Sequence, residues 1–310
     1  MKPTVRISAV ICTYNREKYI RQALDSLADQ TLNSNNFEVI VVNNNSTDNT
    51  TTIVHDFIQT HPNLHIVFCN ESNQGLSYAR NRGISESKGE LITFLDDDAI
   101  APVGFLENVL KLFYLYPETL AIGGKIIPGF VDGKPNWYSK FFWGVTGQFD
   151  PGNKIGNLLF WGKFPCGSNM TFHKHFFNQF GLFNPNLGRK GTILLAGEEK
   201  ELFSRVKSDS DKKKVWYFPE LVVYHMVDNT KLNSDYLRKF SYGFAQGEKL
   251  EVEHAPFFKK IARYAEYTLK PIGATVVSFF YLITGRIAKA VMLFRFAWWI
   301  ACGLWCNKKV

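Results

Sequence analysis

Three consecutive aspartates, Asp96-Asp97-Asp98, close an apolar run that ends in Phe94-Leu95. Three carboxylates at the end of a strand repel one another unless a cation sits among them. A hard divalent ion, Mg²⁺ or Mn²⁺, does this through oxygen ligands and can bridge to a diphosphate. Alternate residues of an extended chain point the same way, so Asp96 and Asp98 can share one metal environment while Asp97 faces elsewhere. A solvated acidic turn has the same composition.

Upstream, Gln74-Gly75-Leu76 opens a stretch carrying Arg80 and Arg82 in its early helical turns. A helix N-terminus with guanidinium groups suits a phosphate; an ordinary surface helix with solvated arginines fits the same residues. Two polar loops come earlier, Thr13-Tyr14-Asn15 and Asn43-Asn44-Asn45-Ser46-Thr47-Asp48. Asparagine offers both a donor and an acceptor to the edge of a base, and it is also common turn chemistry. At Gly197-Glu198-Glu199-Lys200-Glu201 acids gather where a helix dipole favours anions. A carboxylate there can take a proton from a hydroxyl as general base, or can simply suit a helix start. His225, after the apolar Leu221–Tyr224, either completes the Asp98 metal site or is a satisfied structural histidine. Trp137, Trp143 and Trp161 can stack on sugar rings, meet a lipid, or pack in a core.

These residues need a scaffold. Residues 5–12 form a short β-branched run, followed by a polar turn and an amphipathic stretch from Tyr19 to Leu27. The pattern repeats: strand Phe37–Val42, helix Ser46–Thr60 behind capping residues, strand Leu64–Cys69, helix Leu76–Ser87 and strand Leu91–Leu95. Such alternation predicts an α/β fold, a mostly parallel sheet with helices on both faces and ligands at the carboxyl ends of its strands. From about Pro128 to Phe164 periodicity fades and aromatic residues crowd in, which reads as an irregular excursion without a core of its own. A helix around Glu198–Val206 and strands at Lys214–Tyr217 and Leu221–His225 close the domain.

The net charge of +8 lies in one place: residues 255–310 carry nine Lys/Arg against one acid, Glu266, while residues 1–254 balance at 27 against 27. That excess is woven through Phe, Trp, Ile and Leu, so an anionic bilayer surface is the expected partner and nucleic acid is not. Two apolar stretches, Ile272–Gly285 and Ala290–Cys306, flank Arg286 and Lys289. A span needs roughly 20 apolar residues; the first stretch is too short and the second contains Arg295. Helices lying in the interface are expected, with buried helices of a soluble core as the alternative; Trp298, Trp299, Trp305, Lys308 and Lys309 favour the interface. The five cysteines, Cys12, Cys69, Cys166, Cys302 and Cys306, show no metal or disulfide spacing and fit a reducing compartment. The run Ile7–Cys12 is too short for a signal peptide, so the catalytic part is expected on the cytoplasmic face of the plasma membrane.

Taken in order, these segments resemble the family 2 glycosyltransferases, inverting enzymes of the GT-A fold, across roughly residues 5–240. Ala9 to Glu17 is similar to the family's opening strand and loop, and Asn73-Gln74-Gly75 through Gly83 to its central motif. Asp96–Asp98 matches the DxD, Gly167-Ser168-Asn169-Met170-Thr171-Phe172 the acceptor-side segment with Gly181-Leu182-Phe183 after it, and Gly197-Glu198-Glu199 the usual Gly-Glu-Asp. The resemblance implies a transferase in residues 1–240, with a nucleotide-binding half (1–100) and an acceptor half (101–240), and a membrane-associating tail in 241–310. It implies Mn²⁺ or Mg²⁺ on Asp96, Asp98 and His225, and a nucleotide-diphosphate sugar, UDP-sugars first, at Thr13, Tyr14, Asn44, Arg80, Asp96 and Asp97. Glu199 is implied as the base, and Gly167, Asn169, Glu198 and Trp161 are implied on the acceptor side, toward a saccharide or lipid-linked saccharide of exopolysaccharide or cell-envelope synthesis. Two positions depart from the family: Asn43 and Asn44 stand where an aspartate commonly contacts uracil, and Glu199 where the base is usually aspartate.

Two other classes compete. A catalytically silent sugar-nucleotide or glycan-binding scaffold would draw on those two departures, but Asp96, Asp98 and Asn169 are all present. A nucleotidyltransferase would need a glycine-rich basic loop for a triphosphate, and none is seen.

Overall fold

The computed structural model describes residues 5–191, 193–253 and 256–305; Cys306, Lys308 and Lys309 lie outside them. The chain divides into two compact units. One runs through Gly129 and takes in Gly147–Asn186 and Glu198–Met226; the other comprises Phe130–Thr146, Leu187–Gly197 and the chain from Val227.

In the first unit the strands and helices alternate as β1 (Ile7–Thr13), α1 (Ile20–Ala28), β2 (Phe37–Asn43), α2 (Thr50–Thr60), β3 (Ile66–Asn70), α3 (Leu76–Glu86) and β4 (Leu91–Phe94). Then follow β5 (Ala99–Ile100), α4 (Phe105–Leu115), β6 (Ala121–Phe130), β7 (Gly156–Asn157), β8 (Met170–His173), α5 (His175–Phe180), α6 (Glu198–Ser204), α7 (Asp209–Lys212) and β9 (Val215–Val227). The sheet order is β3-β2-β1-β4-β8-β6-β9-β5, with β7 on β9. Strands β3, β2, β1 and β4 are parallel, and β8 joins β4 antiparallel.

Both faces of the sheet are covered, which is why β1 and β2 read as near-continuous apolar runs. Ile7, Ala9 and Ile11 pack with Leu24 of α1, Phe57 of α2 and Val109 of α4. Val10, Ile40 and Val42 point the other way, toward Ala79 and Ile84 of α3 and a cluster around Phe172, Phe176 and Phe183. Deleting a fully buried ring such as Phe172 removes about 3–5 kcal/mol from a core of this kind.

Three expectations change. Helix α2 starts at Thr50 rather than Ser46, because Thr47 and Asn49 give their N–H groups to Asn15 Oδ1 (2.8 Å) and Glu17 Oε2 (3.0 Å), locking that stretch as a loop. The two strands expected across residues 214–225 are one strand, β9, which runs through Pro219; its pairings with β7 at Tyr217 and with β5 at His225 lie on either side of that residue.

The third change is the aromatic excursion, which has a core after all. In the second unit Tyr138, Phe142 and Val145 are buried with Leu237 and Phe296, and Trp137 and Trp143 pack against them. The Tyr138 hydroxyl bonds the Thr146 hydroxyl at 2.7 Å. The helices of this unit are α8 (Asn229–Leu232), α9 (Ser234–Glu253), α10 (Phe257–Ile283) and α11 (Ile287–Trp305). Helix α10 is longer than its apolar stretch predicts and continues through Pro271. Helix α11, 19 residues with mean hydropathy 1.5, is long and apolar enough to cross a membrane by length and composition.

Helix α9 carries Gly243 and Gly247 one turn apart. A Cβ on them would fall 2.0 Å from the Leu194 carbonyl oxygen and 2.2 Å from that of Ala196, whereas a Cβ on Gly273 of α10 meets nothing within 4 Å among the described residues. Alanine in place of a mid-helix glycine ordinarily gains about 0.5–1 kcal/mol. Gly273→Ala is therefore expected to raise the thermal midpoint or leave it alone. Gly243→Ala and Gly247→Ala are expected to lower stability by about 1–3 kcal/mol through overpacking, as chemical denaturation of the three variants would show.

Candidate active site

The candidate site lies in the first unit, where β4 ends. The backbone there stays extended, and Leu95 N–H donates to the Val10 carbonyl (3.1 Å). Asp96 follows, half-exposed, while Asp97 and Asp98 are buried.

The register of β5 against β9 sets Ala99 opposite His225, and Met226 N–H donates to the Asp98 carbonyl at 2.7 Å. This delivers the imidazole: His225 Nε2 lies 2.9 Å from Asp98 Oδ1 and 4.0 Å from Asp96 Oδ2. One ligand atom from each of Asp96, Asp98 and His225 falls within 4.8 Å of the others. Two carboxylates and the Nε2 of an imidazole converging on one point are the donor set of a divalent metal. The residues fit such an ion.

Asp97 turns away, and Arg16 Nε meets its Oδ1 at 3.1 Å while an Arg16 terminal nitrogen is 3.8 Å from Asp98 Oδ2. Burial pushes the Asp97 carboxyl up to about 6; Arg16 opposes this, and the neighbouring Asp98 and Asp96 add to it. The sequence does not single out Arg16, because its partner Asp97 lies 81 residues further along the chain.

Residues 166–169 form the opposite wall. Asn169 N–H closes a turn onto the Cys166 carbonyl (2.9 Å). Because Phe94 pairs with Met170, continuing that register sets Ser168 beside Asp96, and the Ser168 hydroxyl donates to Asp96 Oδ2 at 2.6 Å. The Asn169 amide donates to the Lys125 and Leu221 carbonyls, both at 2.9 Å, so it ties β6 to β9. Trp161 is 42% exposed, with its ring over Gly156 and 6.1 Å from that of Tyr217.

Arg80 sits 2% exposed in α3, its guanidinium 5.2 Å from the Phe183 ring, and one nitrogen contacts Glu198 Oε1 and Glu199 Oε1, each at 3.1 Å. Burial works to lower its pKa, and the carboxylates of Glu199, Glu198 and Asp96 more than reverse that. The arginine read from sequence as a phosphate-binding group is engaged with the two glutamates of α6. Glu198 is buried with Oε2 unpartnered among the described residues. Burial first, and then the Glu199 charge, push it up to about 7 against the pull of Arg80. A carboxyl raised in the folded state loses stability as pH rises through that value. Glu198→Gln should therefore gain on the parent between about pH 5.5 and about pH 8, and an unchanged difference in unfolding midpoint across that range would contradict it.

Gly167 joins these groups. A Cβ there would lie 2.6 Å from an Arg80 nitrogen, 3.0 Å from Glu199 Oε1 and 3.7 Å from Asp96 Oδ1. The general-base candidate and the acidic cluster therefore face the same point. Gly167→Ala is expected to leave circular dichroism unchanged and to lower turnover roughly 10²-fold, since shifts near 1 Å at a reacting centre have such effects.

The loops at the ends of β1 and β2 are stitched to each other and to the turn before α3. Thr13 is buried and Tyr14 half-buried at the end of β1. Asn44 donates to the Glu71 and Asn73 carbonyls (both 2.8 Å) and accepts from Gly75 N–H at 2.7 Å. Its side chain holds the Gly75 turn, a task the sequence reading did not give it.

A doubly covered α/β sheet whose strand ends carry paired aspartates, a histidine and a facing glutamate defines a GT-A glycosyltransferase. The sequence pattern of glycosyl transferase family 2 matches residues 8–181. The chain belongs to that family.

It is 26% identical over 246 residues to the glucosyl-dolichyl phosphate glucuronosyltransferase of Haloferax volcanii, covering 78% of this chain and 76% of the relative. It is 38% identical over 106 residues to the minor teichoic acid biosynthesis protein GgaB of Bacillus subtilis, 34% of this chain but only 12% of that much longer one. Among solved structures it is similar in fold to the mannosyltransferase PcManGT of Pyrobaculum calidifontis in complex with GDP-Man and Mn²⁺, with TM-score 0.63, 17% identity, and coverage of 99% of this chain and 90% of the other. S. aureus TarS in complex with UDP-GlcNAc gives TM-score 0.55 at 18% identity, covering 82% and 68%.

Proposed function

We propose that this glycosyltransferase moves a sugar from a nucleotide-diphosphate donor to a hydroxyl of a saccharide or lipid-linked saccharide, with inversion at the anomeric carbon. The observation that carries this is the convergence at Gly167, where the Glu199 carboxylate and Asp96 lie within 3.7 Å of one point. Glu199 takes the acceptor proton; the freed oxygen attacks the anomeric carbon from the face opposite the diphosphate, whose bond to that carbon breaks. Asp96, Asp98 and His225 would hold Mn²⁺ or Mg²⁺, which would supply positive charge for the leaving diphosphate. Arg80, paired with both glutamates, orients Glu199, in place of the phosphate contact expected from sequence.

Thr13, Tyr14 and Asp97 belong to the donor side, with Asn44 fixing the loop beside them, and UDP-sugars are the first donors to try. On the acceptor side we read Gly167 as leaving room beside Glu199, Glu198 as backing it, Asn169 as holding the wall, and the exposed Trp161 as a platform for a sugar ring. The Haloferax relative is named for a lipid-phosphate acceptor and the Bacillus relative for an envelope polymer, which supports cell-envelope or exopolysaccharide synthesis. Residues 1–240 then carry the transfer, and 241–310 hold the enzyme to the cytoplasmic face of the plasma membrane.

The test is a panel of nucleotide sugars assayed for nucleoside diphosphate release with Mn²⁺, with Mg²⁺ and with a chelator. Metal-dependent release from one donor is the expected result. Tight donor binding with no release against any saccharide or lipid-linked acceptor would favour a silent scaffold.

A further inference from the structure

Helices α10 and α11 each expose an apolar stripe at helical spacing. On α10 Val276, Phe279 and Ile283 are 65%, 64% and 70% exposed, and on α11 Ile287, Phe294 and Trp298 are 62%, 50% and 62% exposed. Spacings of three, four and seven put each set on one side of its helix. Buried residues of α11, among them Leu293 and Phe296, lie off that stripe. Soluble chains rarely leave so large a contiguous apolar surface open.

The charges say what covers it. Lys260, Arg263 and Lys270 fall on the side of α10 away from its stripe, where Glu266 pairs with Arg263 (2.6 Å) and Lys270 (2.5 Å) and offsets only part of their charge; Arg286 follows the α10 terminus, and Arg295 stacks on Trp299 at 5.0 Å beside the α11 stripe. An apolar stripe edged by basic and aromatic residues is complementary to an anionic bilayer surface.

We infer that α10 and α11 lie flat in one leaflet, with their stripes in the acyl region and their basic edges among the headgroups, and that α11 does not cross the bilayer although its length would allow it. Arg295 is the ninth of the 19 residues of α11. A crossing would bring it to the bilayer centre, where an arginine costs about 2.5–3.5 kcal/mol or more. Lying flat leaves it at the surface with its stem along the stripe. The inference rests on the reading of an anionic membrane as partner and is independent of the catalytic one.

The test uses the full chain with phosphatidylglycerol and phosphatidylcholine vesicles. Co-flotation with phosphatidylglycerol vesicles should weaken at least tenfold in Val276→Glu/Phe279→Glu and in Phe294→Glu/Trp298→Glu, with transfer to a soluble acceptor unchanged. Those positions are exposed, so the variants should fold, and circular dichroism checks that. Depth is read by nitroxide lipids, as the difference in tryptophan quenching between the parent and Trp298→Phe. Quenching mainly by headgroup-proximal nitroxides is expected; quenching mainly by chain-end nitroxides would overturn the flat arrangement while keeping the membrane partner. No flotation with either lipid would overturn the partner itself. Loss of a dimer in the glutamate variants, seen by sedimentation without vesicle binding, would assign the stripes to a second copy and overturn the inference.

Discussion

Glu199→Gln is expected to lower transfer by roughly 10²–10⁴-fold, the usual contribution of a positioned general base, with donor binding intact. Glutamine keeps the shape and can still accept from Arg80, which lies 3.1 Å from Glu199 Oε1, but loses the negative charge and the ability to take a proton. The loss should therefore fall on kcat, with KM for the donor within a few-fold of the parent, as steady-state kinetics would show. Glu199→Asp shortens the side chain to the family's usual residue, and the carboxylate then has to reach the same point from the α6 start. It should retain far more activity than the glutamine variant. Equal losses in the two would mean that Glu199 acts through the position of Arg80 and not as the base.

Asp98→Ala should cut kcat/KM by on the order of 10²–10³-fold, as removal of one group that stabilises developing charge commonly does. Asp98 is 3% exposed, and one oxygen lies 2.9 Å from His225 Nε2. Without it the cluster keeps one carboxylate and one imidazole, too few to hold a hard cation firmly. In chelator the variant should be no less stable than the parent, because its loss relieves repulsion among three adjacent acids. Excess Mn²⁺ should raise the parent's unfolding midpoint, since an ion at 100 times its Kd adds about 2.7 kcal/mol. The variant's midpoint should stay put, and an equal shift in both proteins would place the ion elsewhere.

The alternation of β-branched runs and helices is local, so the parallel half of the sheet and the position of Asp96–Asp98 at the end of β4 can be read from the chain alone. His225 as a partner of Asp98 is also legible as a possibility, but its delivery depends on the pairing of Ala99 with His225 across more than a hundred residues. The other site contacts are of that second kind. Ser168 meets Asp96 because the β4–β8 register sets it there, and Arg16 meets Asp97 because β1 lies beside β4. Arg80 reaches α6 across 118 residues, so its early-helix position, which suggests phosphate, says nothing of the two glutamates that hold it. The aromatic residues from Trp137 to Trp143 lack periodicity because they fill a core in irregular backbone against α9 and α11. A period search has no purchase on that arrangement.

The most direct measurement is proton NMR of the first sugar transferred from an α-linked nucleotide donor in the presence of Mn²⁺. The account predicts a β-linked product formed together with nucleoside diphosphate, because in the proposed displacement the acceptor oxygen attacks the face of the anomeric carbon opposite the departing diphosphate. An α-linked product would contradict it.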